Sequence, residues 1–254
     1  MNNNIKLDKQ EFIAKITLSK PPLNILNIDD LNYLSKVLGE LNNQEKLKLI
    51  IIDSNQKVFS AGIDVSDHKK DKAVELLTAF HGVFYQLVSL KIPTLAVVNS
   101  GCYGGGFELA LFCDFIIASD KADFSLPEIK LGCYPPVALA VLSSLIGNKK
   151  ALELILTGNK INAENALKFG LINHLFKEDE IDQKTEEFIN SIVSNSSSVI
   201  KTTVNAFKKI NQSDLKEKLY ISEKIYIEEL IKLEDSEEGI KSFLEKRKPI
   251  WNEK

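Results

Sequence analysis

A glycine-rich loop between an apolar strand and a helix is the feature that most constrains this chain. Residues 94–98 (TLAVV) form a strand-like run, residues 99–106 carry four glycines, and residues 107–112 (FELALF) are predicted to be helical. Glycines let a backbone approach a ligand closely, and the first N–H groups of a helix have no intrahelical partner. Glu108 adds a carboxylate in the first turn. Backbone donors beside a carboxylate predict acid–base chemistry on a carbonyl group.

Two further segments extend this prediction. Glu128 directly follows Pro127 at the exit of a predicted strand, so Glu108 and Glu128 are candidates for a base and an acid that face one pocket. Gly62 permits a turn in residues 59–64 (FSAGID) that exposes the next N–H as a second donor for an oxyanion. Each motif alone has a simpler interpretation, because first-turn carboxylates favour the helix dipole and Ala-Gly turns are common.

The order of predicted elements indicates an α/β core followed by a helical region. Strands alternate with helices up to about residue 135, which predicts parallel pairing with right-handed crossovers. We assign residues 1–190 to the core and residues 191–254 to a helical C-terminal region. Predicted strands are a hairpin at 5–18, then 47–52, 58–64 (with a turn), 94–98, 114–118, 122–125 and the apolar run 171–176. Predicted helices are 27–41, 74–90, 107–112, 137–146, 149–157, 163–169, 178–193, 199–210, 216–233 and 237–246.

Composition and charge exclude several classes of protein. The net charge of −3 and the lack of a basic cluster with interleaved aromatics give no support for binding to nucleic acid. No apolar run approaches ~18 residues and no secretory signal is present, so we expect a soluble cytoplasmic protein without membrane contact. Cys102, Cys113 and Cys133 lack metal-site or disulfide spacing, so no metal is expected. The chain also lacks a GxSxG elbow and a GxGxxG dinucleotide fingerprint.

Jointly, these motifs resemble the crotonase (enoyl-CoA hydratase/isomerase) superfamily, and the resemblance covers nearly the whole chain. It implies a spiral of ββα units with a C-terminal helical trimerisation region, assembled as a homotrimer or as a dimer of trimers. It also implies an acyl-CoA thioester as substrate, with coenzyme A as part of the substrate and no separate cofactor. The matching segments are residues 59–64, 104–110, 113–114, 127–132, 151–158, 163–173 and 238–249.

The resemblance assigns roles to individual residues. The backbone N–H groups of Ile63 and Gly105 match the family's oxyanion hole, and Glu108 and Glu128 match its two catalytic glutamates. In hydratases of the family these glutamates position water, deliver hydroxide to the β-carbon and protonate the α-carbon. Segments that embrace coenzyme A are matched by Pro22, Leu23, Ser60 and Ala61, and by Phe243 and Lys246 of the C-terminal helix, which in the family reaches a neighbour's coenzyme A. For Lys246 a solvated helix face is an equal alternative.

One segment departs from the common hydratase pattern. After Gly132 common hydratases continue with a glycine-rich loop and an arginine, whereas this chain has CYPPVA at residues 133–138, where two prolines restrict the backbone. This segment resembles a subgroup, the cyclohexa-1,5-diene-1-carbonyl-CoA hydratases. Tyr134, Phe84 and His81 are then candidates for lining a ring-sized pocket, although ordinary helix packing is the favoured alternative for His81 and Phe84.

The leading hypothesis is therefore a hydratase that acts on a cyclic dienoyl-CoA. A generic short-chain enoyl-CoA hydratase is the alternative, and an isomerase, which needs only one glutamate, stays open. A non-catalytic RNA-binding or scaffolding homologue is disfavoured because both glutamates are retained.

Overall fold

A six-stranded sheet forms the centre of the molecule. The computed structural model describes residues 3–254, so Met1 and Asn2 of the predicted core lie outside the described residues. Parallel strands β2, β3, β4, β6 and β9 follow one another across the sheet, and β1 extends it as an antiparallel edge. The strands are β1 (Ile5–Lys9), β2 (Ile13–Leu18), β3 (Leu49–Ser54), β4 (Thr94–Val98), β5 (Cys102–Tyr103), β6 (Phe115–Ser119), β7 (Asp123–Ser125), β8 (Ile161–Asn162) and β9 (His174–Phe176).

Helices cover both faces of this sheet, as parallel strands require. On β3, Ile50 and Ile52 join the main core, whereas Leu49 and Ile51 face a second cluster that includes Ile181 of the seventh helix. The helices are α1 (Ile28–Leu41), α2 (Ala73–Ser89), α3 (Gly105–Leu111), α4 (Pro136–Ile146), α5 (Asn148–Thr157), α6 (Ala163–Phe169), α7 (Ile181–Val193), α8 (Ser197–Asn211), α9 (Leu215–Glu228) and α10 (Glu234–Leu244). The predicted boundary after residue 190 falls within α7.

A second, smaller sheet lies beside the glycine loop. β5 pairs in parallel with β7, and β7 pairs antiparallel with β8. A short 3-10 helix at Val65–His68 follows the segment in which an oxyanion donor is predicted, and another at Pro127–Leu131 contains the predicted second glutamate, Glu128. This sheet therefore ties the glycine loop to the segment that leads to Glu128.

Several element boundaries differ from the prediction. Residues 58–64 form only two isolated bridges, Ser60 to Cys102 and Leu26 to Ile63, instead of a strand. The predicted helix 216–233 ends at Glu228 and is followed by a separate 3-10 turn at Leu230–Lys232. The last helix ends at Leu244, because Lys246 adopts a left-handed φ of 55° and the Arg247 N–H bonds back to the Ser242 carbonyl, a typical helix-ending motif. Lys246 therefore lies beyond α10, not within it.

The C-terminal helices pack directly on the parts of the chain that carry the predicted site. α9 packs against α4 and α2, and α10 packs against both of the 3-10 helices at Val65–His68 and Pro127–Leu131. At Gly239 of α10 a Cβ would overlap the Leu131 carbonyl group, so glycine is needed for this close approach. None of the helices within residues 3–254 has the length and apolar character to cross a bilayer.

Candidate active site

Hydrogen bonds on both sides hold the glycine loop next to residues 60–63. The Tyr103 N–H donates to the Ser60 carbonyl at 2.9 Å, and the Gly104 N–H donates to the Ser125 carbonyl at 2.9 Å. Gly62 has a φ of 102°, and a Cβ there would lie 3.3 Å from the Tyr103 oxygen and 3.5 Å from the Gly105 nitrogen. Glycine at position 62 therefore allows the two backbone segments to meet.

The close approach of the two backbone segments brings together the N–H groups of Ile63 and Gly105, which lack hydrogen-bond acceptors within residues 3–254. Gly105 is the first residue of α3, so its N–H has no intrahelical acceptor. Around Ile63, the Leu26 N–H donates to the Gly62 carbonyl and the Asp64 N–H donates to the Leu26 carbonyl. Within residues 3–254 neither the Ile63 nor the Gly105 N–H donates a hydrogen bond. Both are available to a carbonyl oxygen, as an oxyanion hole requires.

Glu108 is a buried carboxyl group that two backbone donors hold in place. Its Oε1 accepts hydrogen bonds from the Val137 N–H at 2.8 Å and the Ala138 N–H at 2.9 Å, both in the first turn of α4. Pro136 starts this helix, which is a favourable position for proline. Burial raises the pKa of Glu108 to about 7, although the two hydrogen bonds to its ionised form oppose the rise.

Glu128 has a different environment in the same pocket. It lies buried in the 3-10 helix Pro127–Leu131, and its Oε2 has no hydrogen-bond partner within residues 3–254. Burial and the negative charge of Glu108 raise the pKa of Glu128 well above its ordinary value. Because Glu128 lacks the two backbone donors that favour ionisation of Glu108, we interpret it as the group that holds the proton shared by the pair.

Both glutamates face a cavity of about 330 Å³, which is also lined by Ile63 and Gly105. Most of its walls are apolar, and they include four aromatic side chains. The Tyr134 hydroxyl donates to the Ser222 carbonyl at 2.9 Å, and its ring packs edge-on against Tyr226 at 5.1 Å between centroids. The apolar and aromatic residues of the walls are Ala61, Ile63, Val65, Leu76, Leu77, Phe80, Pro127, Leu131, Tyr134, Pro136, Tyr226 and Phe243.

Two of the three residues predicted to line a ring-sized pocket do not line this cavity. Phe84 is fully buried between Phe80 and Phe112, with edge-on ring contacts at 4.8 and 5.0 Å. His81 lies on another side of α2, where its Nδ1 is 2.6 Å from Oε2 of Glu223. The candidate lining role of His81 and Phe84 is corrected to helix packing, which was the favoured alternative, because α2 turns Leu76, Leu77 and Phe80 toward the cavity instead. Tyr134 does line it.

Residues predicted to contact coenzyme A differ in their placement. Ala61 and Phe243 line the cavity, whereas Pro22, Leu23, Ser60 and Lys246 do not. Ser60 is buried and its hydroxyl donates to the Asn24 carbonyl at 2.7 Å, so its side chain shapes the loop. The Leu23 carbonyl accepts the Ala61 N–H at 2.9 Å and so joins the two segments.

A second cavity of about 620 Å³ is lined by His68, which also lines the first cavity. Lys69 and Lys70 lie on one of its sides, and Lys241 lies on α10. Burial lowers the pKa of His68, which favours its neutral form. Within residues 3–254 no cluster of side chains is arranged to hold a metal ion.

The sequence analysis missed Tyr226 and the N–H groups of Val137 and Ala138. Pro136 at a helix start is a local signal for free donors, but no spacing rule links these donors to Glu108, which precedes Val137 by 29 residues and Ala138 by 30. Tyr226 reaches the cavity only because α9 packs across α2 and α4.

Comparisons with known proteins agree with this geometry. A sequence profile described as Enoyl-CoA hydratase/isomerase matches residues 8–254. The chain therefore belongs to the enoyl-CoA hydratase/isomerase family, which confirms the predicted crotonase fold and a lyase-type enzyme. The solved structure of an enoyl-CoA hydratase from Mycobacterium avium subsp. paratuberculosis K-10 has a TM-score of 0.88 at 22% identity and covers 98% of both chains, which shows the fold.

Relatives of the chain carry two kinds of substrate name. It is 35% identical to a short-chain-enoyl-CoA hydratase of Clostridium acetobutylicum, over 97% of this chain and 96% of the relative. It is 29% identical to a cyclohexa-1,5-dienecarbonyl-CoA hydratase of Thauera aromatica, over 96% and 95%. The human enoyl coenzyme A hydratase domain-containing protein 3 has a TM-score of 0.79 at 29% identity, over 98% of this chain and all of the solved one.

Proposed function

We propose that this protein adds water across the double bond of a 2-enoyl-CoA thioester. The observation that carries the proposal is the pair of buried glutamates, Glu108 and Glu128, in one cavity with the free N–H groups of Ile63 and Gly105. A thioester oxygen bound by both N–H groups gains negative charge as water attacks the β-carbon. Loss of one such donor typically costs about 2.7–4 kcal/mol of transition-state stabilisation.

The different environments of the two carboxyl groups suggest their roles. Glu108 is the carboxylate that accepts a proton from water as the oxygen bonds to the β-carbon. Glu128 gives its proton to the α-carbon, and the double bond becomes a single bond. The proton on Glu108 then returns to Glu128, so the pair is restored and one water has been consumed. The reaction changes no net oxidation state, and we propose that it uses no cofactor beyond the coenzyme A of the substrate.

We propose a compact acyl group as the substrate. The cavity is small, and the packed rings of Tyr226 and Tyr134 form part of its wall. Crotonyl-CoA meets this requirement and accords with the printed name of the clostridial relative. Cyclohexa-1,5-diene-1-carbonyl-CoA is the second candidate, because aromatic walls favour a flat ring and a relative carries that name.

The cavity beside His68 is the proposed path of the coenzyme A chain. Lys69, Lys70 and Lys241 line it and are the candidate partners of the phosphate groups, although Asp71, Glu237 and Glu245 also line it and balance their charge. Phe243 of α10 lines the acyl cavity in its own chain, so we place its contact there and not only in a neighbouring subunit.

The test is to incubate the purified protein with crotonyl-CoA and, separately, with cyclohexa-1,5-diene-1-carbonyl-CoA. Enoyl absorbance and product mass are followed, and we expect a product heavier by one water. Preference for crotonyl-CoA supports a short-chain enoyl-CoA hydratase. Preference for the cyclic diene supports a cyclohexa-1,5-diene-1-carbonyl-CoA hydratase. No added water with either substrate, or a product of unchanged mass, would contradict the proposal.

A further inference from the structure

One turn of α9 makes specific contacts with two wall residues of the acyl cavity, Tyr134 and Pro136. The Ser222 carbonyl accepts the Tyr134 hydroxyl, and the Ser222 hydroxyl donates to the Pro136 carbonyl at 2.7 Å. Tyr226, one turn later, lines the cavity and packs against the Tyr134 ring. This turn therefore holds the segment in which the chain departs from the common hydratase pattern.

The same turn is fixed to α2 by a buried polar contact. Oε2 of Glu223 lies 2.6 Å from Nδ1 of His81, whose ring is fully buried. Nε2 of His81 has no partner within residues 3–254, so Glu223 is the hydrogen-bond partner of the ring there. Breaking such a contact leaves a buried polar group unsatisfied, which is costly. The pair therefore favours one position of α9 relative to α2.

A continuous set of contacts leads from this pair to the reacting groups. Phe80 of α2 and Tyr226 of α9 both lie in the wall of the acyl cavity. Pro136, held by Ser222, starts the helix whose next two N–H groups hold Glu108. The position of α9 thus affects both the width of the acyl cavity and the orientation of a glutamate.

We propose that Tyr226 sets the upper size limit of the acyl group, and that the buried contact between His81 and Glu223 is the positioning contact that holds it there. His81 is a positioning residue in this account, in place of the lining role expected from the sequence. This inference rests on the proposed hydratase function and adds the determinant of its substrate size.

The first experiment substitutes Tyr226 in the wall of the acyl cavity. We measure kcat/KM for crotonyl-CoA and for 2-decenoyl-CoA with the wild type, Tyr226→Ala and Tyr226→Leu. The ratio of decenoyl to crotonyl activity is expected to rise about tenfold or more in Tyr226→Ala, since single methylenes change pocket discrimination by about 10-fold to 200-fold. Tyr226→Leu is the milder variant, for which a smaller rise in the ratio is expected. An unchanged ratio in both variants would overturn the inference.

The second experiment removes the contact between His81 and Glu223. Glu223→Ala removes the acceptor, Glu223→Gln keeps an oxygen for the imidazole N–H, and Glu217→Ala removes an exposed glutamate of the same helix as a control. We expect the ratio to rise in Glu223→Ala and to stay near the wild-type value in Glu223→Gln and Glu217→Ala. Equal losses with both substrates in Glu223→Ala would show a merely structural role and contradict the inference.

The wild-type control separates this inference from the proposed function. If the wild type hydrates neither acyl-CoA, the hydratase proposal fails, and the size determinant fails with it. If the wild type hydrates crotonyl-CoA but the variants keep its selectivity, only the inference about α9 fails.

Discussion

Glu108 and Glu128 are chemically identical side chains that the fold places in different environments. Two backbone N–H groups at the start of α4 stabilise the ionised form of Glu108, whereas Oε2 of Glu128 has no partner within residues 3–254. Burial raises the pKa of both groups. One carboxylate and one carboxylic acid side by side are what concerted addition of water requires.

The raised pKa of Glu108 predicts a pH-dependent stability. Between an unfolded value of 4.5 and a folded value of about 7, the native state binds more protons than the unfolded state, so the free energy of unfolding falls as pH rises. The loss amounts to about 3 kcal/mol and is complete above the folded pKa. Denaturant unfolding of the wild type and Glu108→Gln at pH 4, 6 and 8 checks this. The stability of the variant relative to the wild type should increase with pH, and a constant difference would refute the assignment.

At the scale of elements, the start of α3 must lie very close to residues 60–63. A Cβ on Gly106 would overlap the Ser60 side chain, which is itself fixed by its bond to Asn24. The same contact sets the spacing between the N–H groups of Ile63 and Gly105. The oxyanion hole is therefore a property of how two elements pack.

Gly106→Ala tests this packing. We expect a loss of about 1–3 kcal/mol in the free energy of unfolding from overpacking, together with a fall in kcat for crotonyl-CoA as the two donors separate. Gly82→Ala is the matched control. Gly82 lies within α2, a Cβ there would be 3.6 Å from the Ser35 hydroxyl, and alanine stabilises a helix relative to glycine. Full activity in Gly106→Ala at unchanged stability would contradict the account.

The sequence predicted the reacting groups of the site better than the side chains that line the acyl cavity. The strand, glycine loop and first turn of α3 form a local pattern, so Glu108 could be identified from its position and Glu128 from its motif, whereas the resemblance to the family was needed to single out Gly105. The structure brings these residues and Ile63 to one cavity. Helical periodicity placed His81 and Phe84 on a buried helix, but it could not distinguish the face toward the cavity from the faces toward α9 and the core.

Contacts between residues far apart in the chain could not be predicted from the sequence either. Tyr226 follows Tyr134 by 92 positions, and only the packing of α9 against α4 and α2 brings their rings together. The end of α10 before Lys246 depends on a left-handed residue that is not glycine, so the sequence lacks the usual signal for a helix end.

At the scale of the whole molecule, α8 leaves three large apolar side chains exposed to solvent. None of its residues is buried, although the helix carries Val199, Phe207 and Ile210, and the adjoining α9 exposes Ile221 and Ile225. Exposed apolar surface of this kind typically marks an interface between proteins. It fits an assembly of several chains, and the homotrimer or dimer of trimers stays a prediction.

Light scattering coupled to size-exclusion chromatography tests this prediction. The wild type should have three or six times the monomer mass of 28.5 kDa. Phe207→Glu should lower that mass, because a charge buried in an interface is strongly unfavourable. Val74→Glu, on the exposed start of α2, should leave it unchanged. A monomeric wild type would contradict the assembly.

The most direct test of the central claim is the hydration rate of crotonyl-CoA with single glutamate variants. Glu108→Gln and Glu128→Gln keep the shape of each side chain but remove its acid–base function, and Glu164→Gln changes an exposed glutamate of α6 as a control. We predict that each of the first two variants loses about 10²-fold to 10⁴-fold in kcat, while the control keeps the wild-type rate. Retention of hydration in either active-site variant would contradict a mechanism that needs both carboxyl groups.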